Sequence, residues 1–274
     1  MQVTVTGAAG RIGQVLVPGL SAAGHRVRGV DLLRPDVPWA DDVIVADVLH
    51  DDGALVEALA GADAVVHLAA QARETDFETA VDTHVRMTHR VLEQARASDV
   101  GRVVYASSNH AVGFTPRAPM VPVATPVRPD TFYGVGKAAA EALCSLYHDR
   151  HGLAVACLRI GSFRDRPTTR RHLSSWLSPG DLVRLVDACL GAPDLGFAVV
   201  YGISANTRRW WDLSSARQLG YEPLDDAERW AAEIEAVPPS ETDDLDGRHI
   251  GGDFARPVPR PPSGGGALNP PGGG

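Results

Sequence analysis

The sequence predicts an α/β fold in which helices cover both faces of a doubly wound parallel sheet. Short β-branched runs alternate with helical patterns through the first 162 of 274 residues, and this alternation is typical of βαβ units. A glycine-rich turn, TGAAGRIG at 6–13, joins the first strand to the first helix. Such a turn at that place indicates a dinucleotide-binding (Rossmann) arrangement.

The alternation can be followed along the chain. Helical patterns are predicted at 11–23, 51–60, 76–98 and 133–151. The strands lie between them, in the runs QVTVTG, HRVRGVD, DVIVAD, GADAVVHLAA, RVVYASS (102–108) and LAVACLRIGS (153–162). After residue 162 the pattern weakens to a helix at 179–191, a strand at 197–201 and an acidic amphipathic segment near 225–236.

Three regions follow from this pattern. Residues 1–162 are predicted to form the Rossmann core, and 163–250 a small C-terminal substrate lobe together with the last core elements. Residues 251–274 are expected to be a disordered tail, because the stretch from Pro257 to Gly274 is dominated by Pro and Gly and cannot bury a core.

Composition restricts the classes of partner. Acids and bases are interleaved along the chain, with a net charge of −8 and no basic stripe, so we expect no nucleic-acid partner. Three separated cysteines, Cys144, Cys157 and Cys189, lack metal-ligand spacing and indicate reduced buried thiols without a metal. Met1 leads directly into a strand and no long apolar span follows, so we expect a cytoplasmic protein that does not bind membranes. The oligomeric state stays open, and a homo-oligomer is compatible with the sequence.

The glycine-rich turn predicts the site of a dinucleotide. Gly7, Gly10 and Gly13 allow a tight turn, a close approach of the backbone to a pyrophosphate and close helix packing, and Arg11 and Ile12 lie in the same turn. The helix N-terminus that follows supplies unpaired N–H groups and positive potential. The turn is therefore expected to bind the pyrophosphate.

Acidic residues at two strand ends indicate which dinucleotide binds. Asp31 ends the second predicted strand, where a carboxylate accepts hydrogen bonds from the adenosine ribose and repels a 2′-phosphate, so NAD is favoured over NADP. Arg34, three residues after Asp31, is a cation near the same place, so NADP is not excluded. Asp47 is predicted to contact adenine, although an N-cap for a helix over 48–60 is an alternative role for it. Val48 beside it is predicted to contact the cofactor as well. Small residues after the fourth strand leave room for the cofactor, which is expected to contact Leu68, Ala69 and Ala70.

A tyrosine and a lysine four residues apart, Tyr133 and Lys137, share one face at the start of a predicted helix. A nearby cation is expected to lower the pKa of the phenol, which would make Tyr133 a usable base, while Lys137 also holds the nicotinamide ribose. Ser108, at the end of the fifth strand, faces the same crevice and can donate to the substrate oxygen. Ser107 should point to the other face of the strand.

Together these motifs resemble the extended short-chain dehydrogenases: a TGxxGxxG turn, an acid ending strand two, a serine ending strand five and a YxxxK pair. The resemblance covers roughly residues 1–250. Finer features are similar to the uronate dehydrogenase family. These are SSNHAVGF (107–114), YGVGK (133–137), RIGS (159–162), RRHLSSWLSPGD (170–181) and VVYGISAN (199–206).

The resemblance implies a reaction and a substrate site. Members of the family oxidise the pyranose form of D-galacturonate or D-glucuronate at C1, giving an aldarolactone and NADH, and Tyr133 would remove the anomeric proton. Asn109 and His110 would hold sugar hydroxyls, and Ser162 and Arg171 would hold the carboxylate. Each of these four residues also has a structural role as an alternative. Asn109 could be a turn residue and His110 a structural histidine, while Ser162 could be a strand-end hydroxyl and Arg171 a surface cation.

The chain departs from the family pattern at three positions. Ala72 stands where the family has a serine near the substrate carboxylate, so one donor is missing from the substrate site. His84 replaces an asparagine, and Gly136 replaces the serine that commonly precedes the catalytic lysine. Ala72 bears on substrate identity, whereas the other two bear on local order around the nicotinamide.

Two other classes of function are compatible with these motifs. One is an epimerase, dehydratase or reductase acting on a nucleotide-linked sugar, which would need a larger lobe than 163–250 provides. The other is a non-catalytic dinucleotide-sensing protein, which would have no use for the intact Ser108, Tyr133 and Lys137.

Overall fold

The computed structural model describes residues 1–240, 243 and 247–256, and it has the predicted architecture. Its strands are β1 (Gln2–Thr6), β2 (Arg26–Asp31), β3 (Val43–Val45), β4 (Ala64–His67), β5 (Arg102–Ser108), β6 (Ala154–Ile160), β7 (Ser162–Phe163), β8 (Trp176–Leu177) and β9 (Phe197–Gly202). Seven parallel strands form one sheet in the order β3-β2-β1-β4-β5-β6-β9, and β7 pairs with β8 separately. The strand order reverses between β1 and β4, which opens a crevice at their carboxyl ends.

Helices cover both faces of the sheet. They are α1 (Gly13–Ala22), α2 (Asp52–Leu59), α3 (Phe77–Ala80), α4 (Met87–Ala97), α5 (Phe132–His151), α6 (His172–Ser175), α7 (Pro179–Gly191), α8 (Ser214–Gln218) and α9 (Ala231–Glu235). Apolar side chains of α1 and α7 fill the core on one face, and those of α2, α4 and α5 fill the core on the other. No helix in the described part of the chain is long and apolar enough to cross a bilayer.

The predicted helix over 76–98 contains a feature that the apolar pattern did not indicate. A π-helical segment, Val81–Arg86, separates α3 from α4 without ending the helical path. The wider turn turns the His84 side chain into the core, where it is fully buried. Such π segments are frequent at functional sites, and this one lies against α5.

The strand predicted over DVIVAD is shorter than expected. Only Val43–Val45 pairs with β2. Asp47 lies beyond its end, in a turn that precedes α2. The N-cap of α2 is Asp51, whose carboxylate accepts from the Ala54 N–H at 2.9 Å. The N-cap role considered for Asp47 is therefore wrong, because the helix begins at Asp52 rather than at 48.

Residues 251–256, which were predicted to belong to the disordered tail, pack against the folded chain. Gly252–Ala255 form a 3-10 turn, and both Ile250 and Ala255 are buried. The Ile250 N–H donates to Thr115 O at 2.9 Å, and the Gly251 N–H donates to Gly113 O at 2.8 Å. Specific backbone pairing thus orders this segment although its composition has no helical or strand period. Residues 257–274, to which the predicted disorder also applied, lie outside the described residues.

A buried ion pair fastens α5 to the sheet. Arg159 on β6 donates to Glu141 on α5 through Nε at 3.0 Å and Nη2 at 2.8 Å. Ser107 on β5 donates to the same carboxylate at 2.5 Å. Ser107 thus faces α5, away from the crevice, as its place in the strand predicts.

Gly13 provides a test of the packing around the first helix. A Cβ at this position would lie 2.4 Å from the carbonyl oxygens of Gly7 and Ala8, which are backbone atoms that cannot easily move. We expect Gly13→Ala to lower the free energy of unfolding by about 1 to 3 kcal/mol, as overpacking does. Urea denaturation measures this. Gly53→Ala is the control, because Gly53 is exposed in α2 with only ordinary contacts, and it should be neutral or slightly stabilising. Equal stability of the two variants would contradict this packing.

Buried histidines provide a test of acid stability. Burial lowers the pKa of His67 and His84 from 6.5 to about 3, and that of His172 to about 4. These histidines are therefore protonated near pH 6.5 in the unfolded chain but stay neutral in the folded chain. The free energy of unfolding consequently falls as the pH drops from 6.5 toward 4. Each histidine should cost about 2 kcal/mol between pH 7 and pH 5.

Urea denaturation across this range checks the slope. His172→Gln should make the dependence on pH shallower, whereas His151→Gln, on the exposed surface, should leave it unchanged. The same slope for both variants would show that His172 is not a source of the acid sensitivity.

Candidate active site

The glycine turn has the shape that a pyrophosphate needs. Gly7 adopts a φ of +75°, and a Cβ there would lie 2.7 Å from the Ala69 N atom. Side chains are thus excluded at Gly7 and Gly13, which leaves an open cradle of backbone N–H groups where α1 begins. The N-cap residue Ile12 has an apolar side chain, which cannot cap the helix. The positive end of α1 stays available to an anion, and the cradle fits a dinucleotide.

The predicted ribose ligand lies beside this cradle. Asp31 Oδ2 accepts from the Ala9 N–H at 2.9 Å, and Oδ1 accepts from the Leu33 N–H at 3.3 Å. The carboxylate is therefore held at the edge of the glycine turn. Arg34 instead donates to Ala40 O and Val43 O, each at 3.2 Å. The geometry thus favours the ribose contact of Asp31 over a phosphate contact of Arg34.

The remaining residues predicted to contact the cofactor line the same edge of the sheet. Asp47 accepts from the Leu49 N–H at 2.8 Å and from His50 Nδ1 at 2.9 Å, and the bond to His50 holds the pKa of Asp47 below its usual value. Val48 beside it is buried. The three residues directly after β4 that are predicted to contact the cofactor are partly buried: Leu68, Ala69 and Ala70. Arg11, in the glycine turn, is exposed.

The predicted catalytic group is assembled at the start of α5. The N-cap of this helix is Thr131, whose Oγ1 accepts from the Gly134 N–H at 3.0 Å. Lys137 Nζ donates to Ala106 O at 2.7 Å and lies 5.6 Å from the centre of the Tyr133 ring. Ser108 ends β5 close to Tyr133, because its side chain lowers the pKa of the Tyr133 hydroxyl. The structure thus brings together the three residues that the sequence assigned to catalysis.

The protonation of this group differs from the expectation. Burial raises the pKa of Tyr133, and the hydrogen bond with Ser108 opposes this rise. Burial also lowers the pKa of Lys137 to about 7, although the charge of Glu141 acts in the other direction. The expected fall in the pKa of Tyr133 is therefore not found, because burial and the nearby Asp130 charge raise this pKa and outweigh the effect of Ser108.

Two of the departures from the family pattern are in direct contact. A Cβ on Gly136 would lie 2.8 Å from Cβ and Cδ2 of His84. The His84 ring meets the Tyr133 ring edge-on, with centroids 5.1 Å apart. Among the described residues, neither ring nitrogen of His84 has a hydrogen-bond partner. The larger histidine thus occupies the space that a side chain at 136 would need, and the two replacements form one packing change.

The residues predicted to bind substrate are distributed around Tyr133 and the C-terminal segment. Asn109 Nδ2 donates to Ile250 O at 3.3 Å, and Arg171 donates to the same oxygen. The Arg171 guanidinium also lies 5.4 Å from the centre of the Trp210 ring. Ser162 Oγ forms a 2.8 Å hydrogen bond with Ser175 Oγ. Asn109 and Arg171 thus converge on one backbone carbonyl.

His110 and Ala72 have different environments. The His110 ring lies 5.8 Å from the Tyr133 ring and 4.7 Å from the Phe254 ring, and its Nδ1 is 2.8 Å from Asp130 Oδ2. Ala72 is exposed in the segment between β4 and α3. His110 is thus held beside Tyr133, whereas the described contacts do not bring Ala72 to Arg171.

Sequence reasoning missed several residues of this site. The Glu74 carboxylate accepts from the N–H groups of Phe132 and Tyr133, each at 3.0 Å, and ties the segment containing Ala72 to the start of α5. Asp130 pairs with His110 from the position just before the N-cap. The only signal for either was an acid close to a helix start. No periodic pattern indicated the contacts of the segment that contains Ile250 and Phe254.

Comparison with known proteins identifies the family. The sequence profile of the NAD dependent epimerase/dehydratase family matches residues 3–190. A uronate dehydrogenase of Pseudomonas syringae pv. tomato is 37% identical over 257 residues, which cover 93% of each chain. An L-arabinose 1-dehydrogenase (NAD(P)(+)) of Haloferax volcanii is 37% identical over 82% of this chain and 97% of its own.

A solved structure agrees with this match along nearly the whole chain. It is a Tyr-to-Ala variant of uronate dehydrogenase from Agrobacterium tumefaciens complexed with NAD, with a TM-score of 0.87 and 36% identity over 95% of this chain and 99% of that one. The predicted fold, family and cofactor are confirmed. The chain therefore belongs to the NAD dependent epimerase/dehydratase family and, within it, to the NAD-dependent oxidoreductases of the uronate dehydrogenase group.

Proposed function

We propose that this protein oxidises the pyranose form of a hexuronic acid, D-galacturonate or D-glucuronate, at C1 to an aldarolactone. The observation that carries the proposal is the group of Ser108, Tyr133 and Lys137, followed directly by Asn109, which shares the Ile250 carbonyl with Arg171. The chain that holds this group is related to uronate dehydrogenases over nearly its whole length. The first three residues suit dehydrogenation of an alcohol, and the guanidinium suits a carboxylate.

Proton transfer is assigned to Tyr133. Its hydroxyl would take the proton of the C1 hydroxyl, while Ser108 donates to the same oxygen and holds it in place. Bound NAD accepts the hydride. Because burial raises the pKa of Tyr133, the base form must be stabilised by positive charge in the complete site, and Lys137 lies close enough to contribute.

Lys137 also has a positioning role in the proposal. One of its N–H groups is used by Ala106 O, and the others are available to the hydroxyls of the nicotinamide ribose. The bond to the β5 backbone fixes the ammonium on the side of the crevice where Ser108 ends the strand. Lys137 would therefore hold the nicotinamide ribose at a fixed position relative to Tyr133.

Substrate recognition is assigned to the residues that surround the catalytic group. Arg171 and Ser162 would bind the carboxylate, and Asn109 and His110 would bind ring hydroxyls. Arg171 and Asn109 are both tied to the Ile250 carbonyl, so the anion and hydroxyl contacts share one anchor. Ala72 supplies no donor, which leaves Arg171 with a larger share of carboxylate recognition.

Other functions fit less well. A nucleotide-linked sugar requires a lobe that covers a diphosphate, whereas β7, β8 and the short helices α6, α8 and α9 form a small one. A sensing protein would not need a buried proton-transfer group. Oxidation of a neutral aldose at C1 is the second candidate, and the exposed Ala72 favours it, because that residue cannot bind a carboxylate.

We further infer that the enzyme works in the cytoplasm on a small acidic sugar. Three free, buried cysteines, Cys144, Cys157 and Cys189, support a reducing compartment. Formation of NADH with purified protein and a panel of hexuronates, neutral aldoses and nucleotide sugars tests the function directly. Reduction of NAD with neutral aldoses alone would replace the leading proposal by the second candidate.

Tyr133→Phe tests the assigned base. The variant keeps the ring and its packing but lacks the hydroxyl, so turnover should fall by about 10²-fold or more, while NAD binding measured by calorimetry is retained. Tyr147→Phe is the matched control on the same helix, where the hydroxyl bonds to Glu93 rather than facing the crevice. Loss of turnover in both variants would make the effect structural.

Arg171→Ala tests carboxylate recognition. Loss of the guanidinium should cost about 2 to 4 kcal/mol in transition-state binding, or roughly 30- to 800-fold in kcat/KM for a hexuronate. A neutral aldose should be affected little, because it has no anion to bind. Steady-state kinetics with both substrates measures the difference.

Arg170→Ala is the matched control for this test. The Arg170 side chain donates to Glu235 O and Val237 O on the outside of the lobe, so its removal should leave the preference between the two substrates unchanged. If Arg171→Ala lowers the activities with the hexuronate and with the neutral aldose equally, Arg171 has a structural role in the lobe and does not bind the substrate carboxylate.

A further inference from the structure

Asp130 is a buried carboxylate whose partners are both in the candidate site. Its side chain is fully buried, and Oδ2 lies 2.8 Å from His110 Nδ1. Oδ1 accepts from the Thr131 hydroxyl at 3.0 Å. A buried charge without partners is costly, so this carboxylate depends on His110 as well as on the start of α5.

Two glycines from separate segments form the slot that holds the carboxylate. A Cβ on Gly113 would lie 1.9 Å from Asp130 Oδ2, and a Cβ on Gly251 would lie 1.7 Å from the same atom. The two glycines are joined by a 2.8 Å backbone hydrogen bond. Oδ2 is therefore fixed in position, and it faces His110 rather than solvent.

His110 is restrained on its other sides as well. A Cβ on Gly134 would lie 2.4 Å from His110 O, so the backbone of His110 packs directly on α5. The ring lies between Tyr133 and Phe254, and 17% of the side chain remains exposed. The ring thus has one nitrogen on a buried carboxylate and the other directed away from it.

We propose that Asp130 is a positioning residue that fixes the tautomer of His110. A carboxylate only accepts, so Nδ1 must carry the proton, and Nε2 of the neutral ring is left as an acceptor for a substrate hydroxyl next to the reacting carbon. The inference rests on the proposed function in one respect, namely that His110 binds a hydroxyl of the substrate. It adds the reason why His110 would accept, rather than donate, the hydrogen bond with that hydroxyl.

The hydrogen bonds of Thr131 determine how the side-chain amide of Asp130→Asn would be oriented. Thr131 Oγ1 accepts from the Gly134 N–H, so its own hydrogen is directed to Asp130 Oδ1. In Asp130→Asn the amide oxygen should keep this bond, and the amide NH₂ should then face His110 Nδ1. A donor in that position favours the other tautomer, with the proton on Nε2.

Ring-nitrogen chemical shifts of histidine-labelled protein test the tautomer without substrate. His110 should carry its proton on Nδ1 in the parent and on Nε2 in Asp130→Asn, with the signals assigned through His110→Phe. Asp226→Asn is the control, because Asp226 caps a turn of the lobe through Thr207 and Glu228. An Nδ1 proton retained in Asp130→Asn would overturn the proposal.

Kinetics then test whether the tautomer matters. Asp130→Asn should lower kcat/KM for the preferred sugar by about 10- to 100-fold, the scale of one buried hydrogen bond to substrate, and NAD affinity should not change. In the His110→Phe background, Asp130→Asn should cause no further loss, because Asp130 acts through His110. A full additional loss there would assign Asp130 a purely structural role.

The two readouts separate this inference from the proposed function. If no hexuronate is oxidised but the tautomer still switches in Asp130→Asn, the substrate assignment fails and the role of Asp130 stands. If His110→Phe does not fold, Asp130→Asn and Asp226→Asn are compared directly. A histidine whose proton moves to Nε2 only in Asp130→Asn supports the proposal, and the absence of any such histidine overturns it.

Discussion

The packing of α5 on β5 and β6 is the constraint on which the proposed catalytic group of Ser108, Tyr133 and Lys137 depends. One carboxylate, Glu141, takes hydrogen bonds from Arg159 on β6 and Ser107 on β5, all of them buried. One turn earlier on the helix, Lys137 donates to the β5 backbone. These bonds fix both the rotation and the axial position of α5, so Tyr133, a further turn earlier, has a defined place in the crevice. Breaking a buried pair of this kind costs about 3 to 5 kcal/mol, which makes the alignment robust.

The burial that orders this site also opposes the charges within it. It lowers the pKa of His67 and His84 to about 3 and that of Lys137 to about 7, and it raises the pKa of Tyr133. The two imidazoles are therefore neutral at physiological pH, and they add no cation beside the lysine. Burial thus favours the neutral forms of both Tyr133 and Lys137.

The parts of the fold that repeat along the chain were predictable from sequence. The alternation of strands and helices, the glycine turn and the Tyr133 and Lys137 pair each depend on residues close in sequence, and the structure has them where they were expected. The missed features depend on contacts between distant segments. Asp130 meets Gly251, and Asn109 meets Ile250, pairs that no local period or spacing records. The π-helical segment was missed because a single wider turn leaves the apolar pattern of a helix almost unchanged.

The three departures from the family pattern differ in how the structure accommodates them. His84 and Gly136 are in contact, so the His84 side chain fills the space beside Tyr133 that a side chain at 136 would need. Ala72 is exposed, and its missing hydroxyl cannot be replaced by a packing change. Under the proposed function, recognition of the carboxylate would therefore depend on residues anchored to the Ile250 carbonyl, Arg171 among them. Because Asn109 and Arg171 both bind that carbonyl, residues around Ile250 would then help to shape the proposed substrate site.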